Sequence, residues 1–459
     1  MRFLIFISVL CLTAGCQSDN GEEENNENIT LLTLDPGHFH ASLIQKNKLE
    51  GVDTNVYVYA PEGAELETHL ALIKQFNNRV DNPTHWNEVV YTGNDFLEKM
   101  IQDKKGEVVI LAGNNKNKTE YIQKSIEAGL HVLSDKPMAI DTEGFEVLLE
   151  AFQNAERNHL QLYDIMTERF NIYSVLQKEL IHNDDIFGEI IEGSPDNPSV
   201  IKRSVHHFYK EVSGNPLIRP GWYYDVEQQG EGIVDVTTHF VDLIHWQCFP
   251  EQAINHTNDI ALHSAKRWPT LISKSQFEKS TELDSIPEYL RKDWNDDNLN
   301  IYANGSMIYS VKDIFAEVEV EWDFEAEEGM GDTHFSQIKG THSTISIRQD
   351  KEQDFQPKLY IEPVDEQAFS SLELEQIKKG FDSIEEKYPG VTLEESNFGL
   401  EVNVPENLIE GHEEHFSQVA NRFFKYIEDG KMPDWEVANM ITKYYITTQA
   451  LALAKETSR

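Results

Sequence analysis

The sequence predicts an α/β chain in which a doubly wound parallel sheet is followed by an α+β half built on a second sheet. Three observations point there. Residues 106–140 read as strand, helix, strand; the region after Phe187 changes to short alternating strands; and 459 residues exceed one ordinary core, so two domains are expected. With 39% hydrophobic and 10% aromatic residues, the chain can fill cores of that size.

Residues 29–34 form the first strand, and the turn behind it is Asp35-Pro36-Gly37-His38-Phe39-His40-Ala41. A dinucleotide-binding turn carries three glycines here, for the tight bend and for close approach of backbone to pyrophosphate. Gly37 alone fits, because Asp35 and His40 take the first and third glycine positions. The second strand, residues 55–59, ends in Ala60-Pro61-Glu62, with no acid at the usual ribose-gripping place and Glu62 close by. Val108, Val109, Ile110 and Leu111 are a run of the kind buried on both faces of a parallel sheet, and Gly113-Asn114-Asn115 ends it. Tyr121, Ile122, Ser125 and Ile126 recur at helical spacing until Gly129, and His131-Val132-Leu133 is the next strand. Ser134-Asp135-Lys136-Pro137 therefore lies at a carboxyl strand end, where ligands of such sheets sit, and Lys136 is aimed at the crevice. Helices follow at 143–158 and 169–181, with a strand at 160–166 between them. Strands are expected at 204–209, 301–311, 315–324 and 343–348. Residues 365–388 read as a solvated helical insertion, and two closing helices end at Gly430 and begin near Asp434.

The formal charge of -41, from 80 acidic and 39 basic residues, repels nucleic acid and anionic lipid surfaces. Residues 1–15 have the form of an export signal, too short to remain as a membrane span, and Leu12-Thr13-Ala14-Gly15-Cys16 resembles a bacterial lipobox with Cys16 as the lipidated residue. An acidic, aperiodic tether occupies 16–28, so the expectation is an exported lipoprotein of the outer membrane, on its periplasmic side or at the cell surface. With Cys11 and Cys16 in the leader, Cys248 stands alone in an apolar helical context, which reads as core.

Residues 204–246 carry the densest chemistry. Gly230-Glu231-Gly232 opens a helix on which Asp235, His239 and Asp242 fall at spacings of four and three, on one face; Asp242 reads as a structural partner of an arginine or backbone amide. His207 and Tyr209 share one strand face and His206 points away. Arg219, Trp222, Tyr223 and Tyr224 combine a guanidinium with aromatics, which suits a sugar ring bearing an acid group and equally suits packing between domains. His38 and His40 with Asp35 lack a further ligand, so no metal is expected.

Lys136-Pro137 at its strand end, the Asp235-x-x-x-His239 pair and the tail 412–455 together resemble the Gfo/Idh/MocA oxidoreductase family. The resemblance runs from about residue 29 to 455, with Asp135 where the family has glutamate. It implies a Rossmann-like domain (29–168), a substrate domain (169–408) with an open, mostly antiparallel sheet, and closing helices (409–459) packed back on the first domain. It also implies Lys136, Asp235 and His239 around a sugar, Arg219, Trp222 and Tyr209 contacting it, and a homodimer. If a nicotinamide cofactor is retained, Gly37, His38, His40 and Asn114 would meet it. With this leader, the chain is most similar to the oligosaccharide dehydratases of ulvan-degrading marine Bacteroidota. That points to loss of water from a nonreducing-end uronate, with His239, Tyr223 or Tyr224 as base, Lys136 and Arg219 on the carboxylate and His207 as acid. NAD(P)-dependent sugar oxidoreduction, NAD-assisted glycoside cleavage and sugar binding without turnover remain the alternatives.

Overall fold

Six parallel strands build the first sheet: β1 (Ile29–Leu34), β2 (Val52–Ala60), β3 (Asn87–Thr92), β4 (Val108–Leu111), β5 (His131–Asp135) and β6 (Leu162–Ile165). This computed structural model describes residues 28–457 except 213–214, 296, 328 and 365–367; the expected lipidation site Cys16 lies outside the described residues. The strand order is β3-β2-β1-β4-β5-β6. β1 pairs with both β2 and β4, so the winding reverses between β1 and β4 and a crevice opens beyond their carboxyl ends. β4 is buried along its whole length, as its apolar run demands. The helices between strands are α1 (His40–Leu43), α2 (Ala64–Asn78), α3 (Phe96–Asp103), α4 (Lys118–Glu127) and α5 (Thr142–Arg157). Asp141 caps α5 by accepting from the Gly144 amide at 2.7 Å, and Gly129 leaves α4 at φ +77°.

The second sheet has ten strands, among them in spatial order Ile260–Ser273, Asn298–Val311, Ile314–Asp323, Val200–His207, Thr333–Lys339, Ser343–Gln349, Lys358–Pro363, Gly399–Asn403 and Thr392–Ser396. Val200–His207 pairs parallel with Ile314–Asp323, and the other pairings are antiparallel. Ala316, Val318, Val320 and Trp322 face the core, whereas Glu317, Glu319 and Glu321 alternate outward. Helices Ile172–Ile181, Thr237–Cys248 and Asp434–Thr457 cover the inner face. The last of these serves both cores: Met440 and Tyr444 pack under the first sheet, Ile446 and Leu451 under the second.

Several expectations change. The helix expected from Gly230 begins at Thr237, leaving Asp235 in the turn before it, because Gly232 packs so tightly on Ala303 that no Cβ would fit. The helix expected from 169 begins at Ile172, and Arg169 sits in a preceding 3₁₀ turn. The strand expected at 204–209 spans Val200–His207. The supposed solvated insertion is the helix Ser371–Lys387, which buries Ile377, Phe381 and Ile384 against the second core. Among the described residues no helix is long and apolar enough to cross a membrane.

Behind the crevice lies a buried ionic network. Arg169 donates to both oxygens of Asp242 at 2.6 and 2.7 Å and to Glu436 at 2.8 and 3.1 Å. Lys443 reaches Asp242 and Asp164 at 2.7 Å each, and the Tyr444 hydroxyl donates to Asp164 at 2.9 Å. Burial opposes the charge on Asp242, but Arg169 and Lys443 hold its carboxyl well below the usual range; burial pushes Asp164 up despite Lys443. Breaking a buried pair strands its partner charges, so Arg169→Met should destabilise the fold by about 3–5 kcal/mol. Urea denaturation followed by far-ultraviolet circular dichroism checks this, and an unchanged midpoint would remove the network from the account.

Candidate functional site

The turn after β1 departs from a pyrophosphate seat in three ways. Asp35 stands at φ +49°, the left-handed conformation usually given to glycine, and its carboxylate accepts from the Tyr121 hydroxyl at 3.1 Å. Burial raises the Asp35 pKa, and Glu65 adds to the rise against the Tyr121 bond. α1 is four residues long, too short for the aligned amides that favour an anion at a helix start. The Trp222 indole closes over Gly37, where an added Cβ would lie 3.6 Å from its Cζ2. The remaining cavity, about 150 Å³, is lined by Asp35, Glu62, Glu65, Asn114 and Trp222. Small-molecule sites usually hold about 300–1,000 Å³. Glu62 and Glu65 could accept from ribose hydroxyls, but a pyrophosphate would meet carboxylates and an indole instead of amides, so these residues do not fit a nicotinamide dinucleotide. Asn114, a candidate contact for it, instead donates to Gln228 at 2.7 Å and ties the β4 turn to the second domain.

The same turn delivers both imidazoles to the end of β5. His40 Nδ1 lies 2.9 Å and His38 Nδ1 3.9 Å from Asp135 Oδ2, with the two rings edge to face at 4.0 Å. Asp135 is 4% exposed; burial opposes its charge, yet His40, Lys118 and His38 hold it well below the carboxylate range. Burial lowers the pKa of both histidines. Lys118, buried on α4, donates to Asn115 at 2.5 Å and to the Asp135 carbonyl at 3.1 Å, and burial pushes it down to about 8.

Next along the crevice, Lys136 donates to Asp235 Oδ1 at 2.5 Å, and Gln229 donates to Asp235 Oδ2 at 3.1 Å. Burial works against the Lys136 ammonium, but Asp235 and Asp135 outweigh it and raise its pKa. His239 lies in the first turn of its helix with Nδ1 buried and unpartnered, and burial, then Lys136, push it down to about 3. Three residues absent from the sequence reading join it: Glu168, after β6, and His412 pair at 3.3 Å, with His334 beside them. Burial disfavours ionised Glu168, but His412, His239 and His334 hold it well below its usual value. His412 lies in the tail quoted for the resemblance, but nothing local in that stretch says that it reaches a strand end some 240 residues earlier.

The aromatic segment divides. Tyr223 is buried, and its phenol feels both Asp235 and Asp332; burial raises its pKa, so it stays protonated. Tyr224 is fixed in the core, donating to Ser280 at 2.5 Å and stacking on Phe208. Arg219, expected to grip a carboxylate, is 7% exposed and donates to the backbone carbonyls of Phe208 and His207 at 2.6 and 3.3 Å, with its plane over Tyr223. Tyr209 lies just beyond the strand end, under Lys279 and against Phe324. His207 and His206, expected on opposite faces, both approach Asp332, at 2.8 and 3.6 Å, because the strand ends at His207 and the 332 loop folds over it. Lys210 also binds Asp332 at 2.7 Å; burial opposes that carboxylate's charge, but the two imidazoles and the lysine hold it far below its usual pKa.

A family model described as "Putative oxidoreductase C terminal domain" matches residues 176–455, and the GFO/IDH/MocA model, "Oxidoreductase family, NAD-binding Rossmann fold", matches 51–163. The chain belongs to the Gfo/Idh/MocA oxidoreductase family. The NAD-binding match starts at residue 51, beyond the altered turn. A crystal structure from Parabacteroides merdae, described as a putative oxidoreductase, is 49% identical, with a TM-score of 0.92 over 94% of this chain and 98% of that one. A levoglucosan dehydrogenase in complex with NADH shares the fold at 14% identity and TM-score 0.59, over 94% of this chain and 97% of that one. An oxidoreductase of Schizosaccharomyces pombe is 27% identical over 157 residues, 34% of this chain and only 37% of the yeast protein. Within this family fold Cys248 is a packing residue: it is buried, and burial pushes its thiol up to about 12. It should be inert to a thiol reagent in the native state and react only on unfolding, which a spectrophotometric thiol titration with and without guanidinium reads directly.

Proposed function

We propose that this family member is a carbon–oxygen lyase, removing water from the nonreducing-end uronate of polysaccharide-derived oligosaccharides, ulvan fragments among them. The observation that carries the reading is a contrast within one crevice. The sugar-side groups Lys136 and Asp235 form a buried ion pair with neutral His239 beside them, while the pyrophosphate seat holds Asp35 and Trp222. A redox-neutral elimination needs the first and has no use for the second. Export as a lipoprotein anchored through Cys16 fits the same reading, since it would separate the protein from soluble nicotinamide pools.

Lys136 neutralises the substrate carboxylate, which acidifies the C5 proton. His207, whose Nδ1 is held by ionised Asp332, offers Nε2 as the base. The C5–H bond breaks, the electron pair forms C4=C5, and the C4–O bond breaks. The departing hydroxyl takes the Tyr223 proton and leaves as water, and the proton on His207 returns to the phenolate. The Tyr223 phenol feels both Asp235 and Asp332, which supports giving it the proton-donor role. His239 stays neutral beside Lys136. Arg219 supports Tyr223 and the His207 carbonyl and does not contact sugar.

Purified protein incubated with uronate-ended oligosaccharides and no nicotinamide should yield a product one water lighter, absorbing as a conjugated enol ether. His207→Gln and Lys136→Met should each lower the rate by about 10²–10⁴-fold, the usual range for a lost acid–base or charge-stabilising group. The matched NAD-binding segment favours a second reading, NAD-dependent sugar oxidation. Turnover that starts only on adding NAD, with reduced cofactor formed, would establish that reading and defeat the lyase.

A further inference from the structure

The sequence pairs His38 and His40 with Asp35, but in the fold Asp35 is turned onto Tyr121 and Asp135, 95 residues beyond His40, takes its place. One ligand atom from each of His38, His40 and Asp135 lies within 4.8 Å of the others. We propose that these three side chains bind a divalent first-row transition metal whose open coordination positions face the crevice.

Two imidazoles and a carboxylate are the donor set of zinc-type and non-haem iron sites, and three protein ligands with a free position mark sites that take substrate or water. The spacing suits it. Metal–ligand bonds of about 2.0–2.1 Å in tetrahedral geometry put ligand atoms roughly 3.3 Å apart. The separations from Asp135 Oδ2 of 2.9 Å to His40 Nδ1 and 3.9 Å to His38 Nδ1 bracket that figure, and the 3.3 Å bond that His38 Nδ1 accepts from the His40 amide is one the ion would have to displace. Without metal, one proton joins His40 to Asp135, and the ion would displace it. Asp135 is almost wholly buried while the His38 and His40 side chains are 21% and 14% exposed, so the closed side of the site is the carboxylate and the open side is the crevice. Phe416 packs on the His40 ring at 4.6 Å, giving it an apolar wall.

Neighbouring charge does not forbid a cation. Lys136 is matched by Asp235, and Lys118 is engaged with Asn115 and the Asp135 carbonyl. Glu168 is likewise matched by His412, at 3.3 Å. In the crevice beside Lys136 the ion would hold one oxygen of the uronate carboxylate, a role that rests on the lyase reading; the metal site itself does not.

Full-length protein freed of metal by chelator and dialysis is titrated with Co²⁺, with visible absorption and elemental analysis as readouts. One Co²⁺ per chain, with ligand-field bands of low-symmetry nitrogen and oxygen coordination and displacement by Zn²⁺, is expected. The bands should be lost in the double variant H38A/H40A and in Asp135→Asn, with circular dichroism reporting folding. A wild-type protein that takes up no stoichiometric Co²⁺ or Zn²⁺ overturns the proposal without recourse to variants, as does a folded H38A/H40A that binds unchanged. If chelated protein still eliminates water at full rate, the substrate-binding role of the metal falls and the lyase stands. If the metal binds but no elimination occurs, the site stands and the lyase falls.

Discussion

The arrangement depends on five buried charges. Arg169, Asp242, Glu436, Lys443 and Asp164 come from the end of β6, the helix Thr237–Cys248 and the final helix, and each is 3% exposed or less. Charges taken out of water are tolerated only when paired and hydrogen-bonded, so the elements that carry them have one mutual placement. Asp242 lies one turn beyond His239, Arg169 adjoins Glu168, and Asp164 lies on β6 beside β5, the strand that ends at Asp135 and Lys136. The network therefore locates the groups of the crevice without facing it.

On the crevice side acidic and basic groups alternate. Lys136 is bound to Asp235, so its ammonium is fixed rather than mobile, and it depresses the neighbouring His239. Asp332 gathers His206, His207 and Lys210, and the Tyr223 phenol feels both Asp332 and Asp235. In a chain with formal charge -41, such local cationic placement is what any anionic ligand would depend on. Arg219 illustrates the opposite use of a cation: with its donors on backbone carbonyls and its plane on Tyr223, it stiffens the loop that presents the phenol.

The turn after β1 keeps the packing of the fold while its side chains change. Gly113 remains pressed against the Asp35 carbonyl, where a Cβ would come within 2.5 Å, so close packing of the β1 and β4 turns is retained. Asp35 tolerates the left-handed backbone that the first glycine supplied, and His40 starts a four-residue helix in place of a long one. What was space for pyrophosphate becomes an indole, a carboxylate and two imidazoles.

The parallel sheet was legible because its information is local: apolar runs such as Val108–Leu111 and stops such as Gly129 act within a few residues. Lys136 at a strand end follows from the same local pattern, and Asp235 and His239 could be joined to it through a recognisable motif. Edge strands such as Asn87–Thr92, exposed on most positions, gave no comparable signal. Which groups meet was a different matter. Asp135 instead of Asp35 beside the histidines, Asp332 against His207, His412 on Glu168 and the burial of Arg219 all join residues from 11 to more than 240 positions apart. By itself the sequence determined the order of elements and the identity of the polar groups, since backbone preference and hydrophobic period are near-neighbour effects. Tertiary structure alone decided which of those groups share the crevice and which are buried as supports, because desolvation and charge pairing depend on distances that only the closed fold sets.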